Sequence, residues 1–255
     1  MDNPPNSLAG KVALITGAGD GMGRQHAILM AERGADVVIN DVNAAGAEET
    51  ASLVRALNRR AHVEVCDVAD VAAIRRMVGN AISTLGRIDI LVNNAGFGRR
   101  QQTWDIGEGD FDLMFDVHVK GSFFCAQAVL PGMKERRWGK IINISSIWGM
   151  TAAAVSPHYC AAKAALLGAT KAWAREFAPW NIHVNAVAPG GVLSGGPLKF
   201  YTKEQLAARE AAVPLKRYCD PREISYAVAF LASPAADFIT GQVLSPNGGE
   251  VIVGI

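Results

Sequence analysis

The alternation of short apolar runs with longer helical segments is the strongest constraint on this fold. Runs rich in β-branched residues, such as 12–16 and 36–41, are each followed by a stretch with apolar residues three and four positions apart. The apolar runs are continuous, so both faces of the sheet they form should be covered by helices. The pattern therefore predicts one α/β domain, a doubly wound parallel sheet with helices on both faces.

The predicted elements follow one another along the whole chain. Strands are expected at 12–16, 36–41, 61–66, 88–93, 140–145, 182–188 and 242–245. Helices are expected at 22–33, 44–59, 71–85, 110–137 with a perturbation at Pro131, 157–177 and 221–231. The segment at about 190–214 departs from this alternation of strands and helices, and it carries its own helical pattern at 203–213. Because it contains glycines and follows the end of a strand, we interpret it as a substrate lid.

Composition excludes several classes of protein. Half of the 255 residues are hydrophobic and 19% are charged, which excludes a disordered chain. Lys plus Arg is 25 and Asp plus Glu is 24, so no charge excess favours nucleic acid or an anionic membrane as a partner. No signal-peptide or transmembrane pattern is visible, and the four widely spaced cysteines form neither a C-x-x-C nor a metal-like cluster. We therefore expect a soluble cytoplasmic protein.

A glycine-rich turn follows the first predicted strand, in T-G-A-G-D-G-M-G at 16–23. Gly17, Gly21 and Gly23 are the residues expected to give the tight turn, the close backbone approach and the helix contact that a pyrophosphate needs. Met22 occupies the position where G-x-G-x-x-G would have a glycine, so the spacing is G-x-x-x-G-x-G. There is no G-K-[ST], so a nucleotide-hydrolysing loop is not expected. The turn predicts a dinucleotide site.

Acidic residues near this turn indicate which dinucleotide is bound. Asp41 ends the second strand, where its carboxylate would bond the adenosine ribose hydroxyls and repel a 2′-phosphate. Asp20, within the glycine turn, stands where a phosphate-binding cation would help. Together they favour NAD over NADP, although a role for Asp41 in capping the next turn remains open. After the third strand, Asp67 and its neighbour Val68 would contact adenine, with a turn-forming Asp67 as the alternative.

Motifs spread over essentially the whole chain resemble those of the short-chain dehydrogenase/reductase family. They are the T-G-x-x-x-G-x-G turn, N-N-A-G at 93–96, a serine at Ser146, Y-x-x-x-K from Tyr159 to Lys163, and P-G at 189–190. The resemblance implies a Rossmann-like fold, a nicotinamide cofactor and hydride transfer to or from a carbonyl or alcohol carbon. It also implies a homotetramer, and the apolar C-terminal residues 251–255 are in keeping with a homo-oligomer.

Residue chemistry at the Y-x-x-x-K motif is compatible with acid–base catalysis. The ordinary pKa of a tyrosine is about 10, too high for a base at neutral pH unless a nearby cation favours the phenolate. Lys163 lies four positions after Tyr159 on a predicted helix and is expected to lower the Tyr159 pKa. Ser146 would stabilise charge on the substrate oxygen, with Ser145 as its competitor. The alternative is that this tyrosine and lysine simply occupy a solvated helix face.

Further cofactor contacts are implied by the resemblance alone. Tyr159 and Lys163 would hold the nicotinamide ribose. The nicotinamide end of the site would be formed by Pro189, Gly190, Val192 and Ser194, the last replacing the usual threonine of the family. Asn93, Ala95 and Gly96 would lie beside the adenosine ribose.

One residue departs from the pattern of the family. In D-V-H-V-K-G, His118 stands where an asparagine is expected. That asparagine normally supports a water linking the lysine to solvent, and an imidazole nitrogen can also bond a water. We therefore include His118 among the catalytic candidates as a member of a proton relay. The alternative is a tolerated packing substitution.

Three functions are consistent with these residues. The leading one is an NAD(H)-dependent enzyme acting on a secondary alcohol or ketone, with Tyr159 as general acid/base. A 3-oxoacyl-thioester reductase using NADPH is the alternative within the enzyme class, and Asp41 speaks against it. A dinucleotide-binding sensor without turnover is the third, motivated by His118.

Pocket and lid candidates, which could equally be core or interface, are Trp148, Met150, Val155, Leu193, Leu198, Phe200 and Tyr201. Arg99 and Arg100 could attract a carboxylate or a carrier phosphate, or be a solvated pair.

Overall fold

A computed structural model describes residues 4–194 and 201–253 and shows a seven-stranded parallel sheet. The strands are β1 (Val12–Thr16), β2 (Asp36–Asp41), β3 (Ala61–Val65), β4 (Ile90–Asn93), β5 (Gly139–Ile144), β6 (Ile182–Val187) and β7 (Val243–Leu244). Their spatial order is β3-β2-β1-β4-β5-β6-β7. The order reverses direction at β1, between β2 and β4, so the predicted doubly wound, Rossmann-like fold in one domain is confirmed.

Helices connect the strands and cover the sheet. They are α1 (Gly21–Glu32), α2 (Ala44–Ala56), α3 (Val71–Leu85), α4 (Glu108–Phe115), α5 (Gly121–Arg136), α6 (Ile147–Met150), α7 (Pro157–Phe177), α8 (Lys203–Ala212) and α9 (Pro221–Ala232). Short 3₁₀ turns lie at Thr103–Asp105, Ala178–Trp180 and Pro234–Ala236. Within the described ranges, no helix is long and apolar enough to cross a membrane.

The first strand shows why its sequence is apolar without interruption. Ala13 and Ile15 are fully buried in the core cluster that also contains residues of α1, α2 and α9. Val12 and Leu14 belong to the second cluster, with residues of α3, α5 and α7. Because successive side chains of a strand point to opposite faces, a strand covered on both sides needs an apolar residue at every position.

Most predicted boundaries agree with the structure to within three residues, and the differences have local causes. The second helix ends at Ala56 rather than at residue 59, because Asn58 adopts a left-handed backbone with φ of 59°. The fourth strand begins at Ile90 rather than at residue 88. There the buried Asp89 carboxylate accepts the Val12 N–H at 3.0 Å and pairs with Arg87.

The long helix expected at 110–137 differs more. It comprises α4, a π-helical turn at Asp116–Lys120 and α5, and Pro131 lies inside α5 without ending it. A π turn inserts one residue into a helix and is frequent at functional sites. Here it holds His118, so the irregularity falls at a predicted site residue.

The predicted lid is described in part. Its helix is present as α8, whereas residues 195–200, including the pocket candidates Leu198 and Phe200, lie outside the described residues. Leu193 and Ser194 precede that gap, and Tyr201 follows it.

Candidate active site

The predicted motifs meet at the carboxyl edge of the sheet. The glycine turn follows β1, the N-N-A-G segment follows β4, and Ser145 and Ser146 follow β5. These ends surround a cavity of about 330 Å³. In an open α/β sheet, ligands bind at this edge where the strand order reverses. The predicted residues that line the cavity are Met22, Gly96, His118, Ser146, Tyr159, Lys163, Pro189, Gly190, Val192 and Ser194.

The glycine turn leaves no space for a side chain at Gly17 or Gly23. Gly17 and Gly21 have φ of 63° and 55°, a left-handed conformation that glycine adopts most easily. A Cβ on Gly23 would lie 2.0 Å from the Gly17 carbonyl oxygen. Asp20 is the N-cap of α1, and its carboxylate accepts the Gly21 N–H at 2.7 Å. The turn thus brings backbone close to the start of a helix, which is the geometry of a phosphate site.

Asn94 holds this turn, and the sequence reasoning missed it. Its Nδ2 donates to the carbonyl oxygens of Thr16 at 2.8 Å and Gly17 at 3.0 Å. The predicted Asn93 is directed into the sheet instead, where its Nδ2 donates to Asn143 at 2.9 Å. Since neighbouring residues at a strand end face opposite ways, the N-N doublet allowed only one of the two to face the turn.

Asp41 contacts both the glycine turn and its own following turn. Its carboxylate accepts the Gly19 N–H at 2.8 Å and the Asn43 N–H at 2.9 Å. The turn-capping role is therefore present, and the same carboxylate lies beside the glycine turn. Arg24 is the nearby cation: it donates to the Gly19 carbonyl at 2.6 Å and pairs with Glu49 at 2.8 Å.

Other residues placed beside the adenosine have mainly structural contacts. The exposed Asp67 accepts the Ala69 N–H at 2.8 Å, which is the turn-forming role left open above. Val68 is 5% exposed, and its carbonyl would be 2.8 Å from a Cβ on Gly121 of α5. Ala95 approaches the glycine turn so closely that a Cβ on Gly17 would lie 2.8 Å from its Cα.

The two serines after β5 have different partners. Ser145 donates its hydroxyl to the backbone carbonyl of Lys163 at 2.8 Å. Ser146 is the N-cap of α6, accepts the Trp148 N–H at 3.2 Å, and lies beside the Tyr159 phenol, where its hydroxyl lowers the Tyr159 pKa. The hydroxyl of Ser146 is therefore the one in contact with the phenol, whereas Ser145 fixes α7 against β5.

The Y-x-x-x-K pair lies in the first turns of α7. The Lys163 ammonium donates to the Ile144 carbonyl at 2.7 Å and lies 5.6 Å from the centroid of the Tyr159 ring. Lys163 is 4% exposed, so the solvated helix face considered as an alternative is not observed. The two side chains face the cavity together.

Burial governs the protonation of this pair. It raises the pKa of Tyr159 to about 12, and the hydrogen bond with Ser146 acts in the opposite direction. It also lowers the pKa of Lys163 to about 7. Burial thus favours the protonated phenol, and the expected lowering of the Tyr159 pKa by Lys163, helped by the positive oxidised nicotinamide, stays a prediction. The physical reason for the raised pKa is that removing the phenolate from water costs more than its neighbours return.

His118 is 1% exposed and packs against the segment of Gly96 and Phe97. Its Nε2 lies 2.9 Å from the Phe97 carbonyl oxygen and 3.2 Å from the Phe97 nitrogen, so the ring tautomer decides which bond forms. A Cβ on Gly96 would lie 2.3 Å from its Cε1, which requires glycine at the end of N-N-A-G. Burial first, and then the charge of Lys163, place the His118 pKa well below 6.5, so the ring is neutral.

The segment after β6 completes the cavity. A Cβ on Gly190 would lie 2.8 Å from the Cα of Asn247, so this backbone also packs too closely for a side chain. Val192 forms a parallel bridge with Cys219. The Ser194 Cβ would be 3.6 Å from a Cβ on Gly21, which puts this serine beside the glycine turn.

Comparison with known proteins agrees with this geometry. A family model described as enoyl-(acyl carrier protein) reductase matches residues 17–250. The 3-oxoacyl-[acyl-carrier-protein] reductase of Thermotoga maritima is 38% identical over 248 residues, which are 96% of this chain and 99% of that protein. The chain belongs to the short-chain dehydrogenase/reductase family. It is accordingly an oxidoreductase that acts on a CH–OH or keto group with a nicotinamide cofactor.

Two solved structures of the short-chain dehydrogenase/reductase fold illustrate the similarity. A 7α-hydroxysteroid dehydrogenase complexed with NADH and 7-oxo glycochenodeoxycholic acid has a TM-score of 0.94 at 34% identity, covering 98% of each chain. A gluconate 5-dehydrogenase from Burkholderia cenocepacia, in complex with NADP and tartrate, has a TM-score of 0.92 at 36% identity. The second comparison covers 96% of this chain and 97% of that one. The resemblance read from the motifs is thus confirmed at the level of the family.

Proposed function

We propose that the protein is an NAD(H)-dependent enzyme that interconverts a secondary alcohol and a ketone, with Tyr159 as general acid/base. The observation that carries this proposal is the meeting of Ser146, Tyr159 and Lys163 in one cavity beside the glycine turn. Among the described residues of the cavity lining, this is the set that places a phenol, an adjacent serine hydroxyl and a buried lysine together.

The residues present fit a nicotinamide dinucleotide. The glycine turn has no room for a side chain at Gly17 or Gly23 and stands at the start of α1, as a pyrophosphate requires. Asp41 would hold the adenosine ribose, Tyr159 and Lys163 the second ribose, and Ser194 the pyrophosphate or carboxamide. When bound, the nicotinamide supplies or accepts the hydride.

Tyr159 is well suited to donate a proton. With its pKa raised to about 12, the phenol stays protonated at neutral pH and can protonate the oxygen of a ketone as that oxygen gains charge. Ser146 would donate a hydrogen bond to the same oxygen. Oxidation uses the same proton transfer in reverse, and the positive charge of the oxidised nicotinamide would then favour the phenolate.

His118 and Lys163 would return the proton to Tyr159. The His118 Nδ1 is buried and has no hydrogen-bond partner among the described residues. We place a relay water at this nitrogen, between Lys163 and solvent. His118 acts as a positioning residue in this scheme, because its neutral ring bonds the water and does not touch the substrate.

NAD preference is also part of the proposal. The Asp41 carboxylate lies beside the turn, and Asp20 adds a second negative charge there. Arg24, the nearby cation, is already paired with Glu49. A 2′-phosphate would therefore meet uncompensated negative charge. The two solved relatives differ, one being complexed with NADH and the other with NADP, so this preference needs its own measurement.

The remaining parts of the proposal concern closure, assembly and location. Tyr201 and Arg209 line the cavity from the predicted lid, which supports closure of α8 over the substrate. Exposed apolar side chains such as Phe238 and Ile252 support a homotetramer. All four cysteines are free thiols, which supports a reducing, cytoplasmic environment.

A second candidate is a reductase of 3-oxoacyl thioesters. It is favoured by the 38% identity to the Thermotoga maritima reductase over nearly the whole chain. The decisive experiment is a panel of secondary alcohols, ketones and 3-oxoacyl thioesters, assayed by NADH and NADPH absorbance. We expect turnover of ketones with NADH. Turnover of thioesters with NADPH alone would favour the second candidate, and cofactor binding with no turnover of any compound would favour the sensor.

A further inference from the structure

Two arginines line the cavity without entering an ion pair anywhere in residues 4–194 and 201–253. Arg100, in the loop after β4, donates its Nη1 to the Tyr201 hydroxyl at 2.8 Å. Arg209, on α8, places its guanidinium carbon 4.2 Å from the centroid of the Tyr201 ring. The two cations therefore share Tyr201, and Arg209 also lies beside Tyr218 of the cavity lining.

The neighbouring Arg99 shows the contrasting situation. It also lines the cavity, but its guanidinium pairs with Asp110. Glu250 is the acidic residue of the cavity lining, and its carboxylate accepts the Gly191 N–H at 3.1 Å instead of pairing with an arginine.

Two guanidinium groups beside one ring repel each other, and an anion bound between them offsets that repulsion. Each presents a planar fork of N–H donors that matches the two oxygens of a carboxylate or phosphate. Because the Tyr201 oxygen accepts from Arg100, its own O–H remains a further donor. The three side chains thus present a set of hydrogen-bond donors at one side of the cavity, which we call the donor set.

This donor set and the catalytic candidates belong to the same cavity. Ser146 and Tyr159 line it from the β5 and α7 side, while Arg100 and Arg209 line it from the loop after β4 and from α8. Trp148 stands edge-on to Tyr159, with ring centroids 6.0 Å apart, and adds an apolar wall. A molecule in this cavity can therefore offer its reacting carbon to Tyr159 and a separate anionic group to the arginines.

We propose that the substrate carries an anionic oxygen group, a carboxylate or a phosphate, which Arg100, Arg209 and Tyr201 bind away from the reacting carbon. This proposal rests on the proposed function, because Tyr159 defines which end of the substrate reacts. An anion held by both arginines would also join the loop after β4 to α8.

Matched substrate pairs test the proposal and separate the two sources of negative charge. The carboxylate arm compares 4-oxopentanoate, 5-oxohexanoate and 6-oxoheptanoate with their methyl esters. The phosphate arm compares acetoacetyl-CoA with acetoacetyl-N-acetylcysteamine, a thioester without phosphate. In at least one arm we expect the charged member to have the higher kcat/KM by about tenfold or more, mainly through KM.

Variants then assign the preference to the arginines. Arg209→Gln and Arg100→Gln should each reduce the preference for the charged member by about tenfold, while the neutral member is handled as by the parent. Arg209→Lys keeps the charge without the fork and should give an intermediate preference. Arg175→Gln, an exposed arginine near the far end of α7, is the control for net charge and should leave the preference unchanged.

A binding measurement keeps this proposal separable from the proposed function. Calorimetry on NADH-saturated enzyme with 5-hydroxyhexanoate, which cannot react with NADH, reports anion binding without turnover. If no ketone is reduced but the hydroxy acid binds and needs Arg209, the proposed function fails and the anion site stands. If neutral and charged ketones are reduced equally well, or both glutamine variants keep the parental preference, the anion site is overturned.

Discussion

The rings of His118 and Tyr159 meet edge to face, with centroids 5.5 Å apart and planes at 87°. The histidine comes from the π turn and the tyrosine from α7, so the irregular turn packs directly against the phenol. Packing alone would satisfy this contact, but it would leave the buried Nδ1 without a hydrogen-bond partner. Two variants separate packing from a relay.

His118→Phe keeps a ring against Tyr159 and removes both nitrogens. We expect kcat to fall by about 10- to 100-fold, because the relay water loses its partner. His118→Asn restores a group that bonds water and should recover part of kcat, with a displaced pH–rate profile because the environment of Lys163 changes. The measurement is kcat against pH for the parent and both variants. Overlapping curves for all three would remove His118 from the relay.

Tyr159→Phe tests the central chemical role. The variant should retain NADH binding, because Lys163 still holds the nicotinamide ribose, while kcat falls by about 100- to 10,000-fold through loss of the proton donor. NADH binding is measured by fluorescence titration and turnover by absorbance. Tyr226→Phe, which removes an exposed hydroxyl on α9, is the matched control. A Tyr159→Phe enzyme within a few-fold of the parental rate would show that another group transfers the proton.

The two serines after β5 should respond differently to alanine. Ser146→Ala removes the hydroxyl in contact with Tyr159, and we expect kcat to fall by about 100- to 1000-fold. Ser145→Ala removes the bond to the Lys163 carbonyl and should cost stability, by about 1 kcal/mol, with a smaller effect on kcat. Steady-state kinetics and thermal unfolding of both variants decide between them. The reverse order of effects on kcat would assign the substrate contact to Ser145.

Asp41→Ala should narrow the preference for NAD over NADP. Removing the carboxylate removes its repulsion of a 2′-phosphate and its bonds to ribose hydroxyls, so we expect the ratio of kcat/KM values to fall by about tenfold or more. Asp41 also bonds Gly19 and Asn43, so Asp41→Asn, which retains an acceptor oxygen, distinguishes charge from loop support. Asp112→Asn on α4 is the remote charge control. An unchanged ratio in both Asp41 variants would refute the ribose assignment.

The elements that the sequence predicted well are those whose burial follows a regular pattern of apolar residues. The strand at Val12–Thr16 and the helix at Val71–Leu85 match their predicted ranges. A continuous apolar run marks the strand and regular amphipathic spacing marks the helix, and both can be seen in the order of residues along the chain. The π turn at Asp116–Lys120 was not predictable, since one inserted residue leaves almost no trace in hydrophobic spacing.

The candidate active site likewise contains residues that the sequence predicted and residues that it did not. Tyr159 and Lys163 were predictable because a separation of four residues on a helix puts them on one face. Ser146 was predicted from the resemblance, because its separation from Tyr159 matches the pattern of the family. The choice between Asn93 and Asn94 depended on the direction of a side chain at a strand end, which the doublet does not reveal. Arg100 and Arg209 are distant in sequence and come together only through Tyr201. Contacts set by tertiary structure were thus the part that the sequence could not supply.

The buried His26 makes a prediction about stability that is independent of the active site. Its Nδ1 lies 2.7 Å from the Ser225 hydroxyl, at the contact of α1 with α9. Burial lowers its pKa from 6.5 to about 3. Between these values the unfolded chain binds a proton that the folded chain does not, so stability is full above pH 6.5 and declines as the pH falls toward 3.

His26→Gln removes this titration and should flatten the acid limb of the stability curve. The slope in the window is about 1.4 kcal/mol per pH unit for one histidine, so roughly 2 kcal/mol of difference is expected to arise between pH 6.5 and 5. The measurement is the thermal unfolding midpoint of parent and variant at fixed protein concentration, from pH 7.5 to 4.5. Ser225→Ala is the control, because it removes the hydrogen bond but not the titrating ring, and should lower stability by a similar amount at every pH. Parallel curves for the parent and His26→Gln would show that His26 is not the group that makes the fold sensitive to acid.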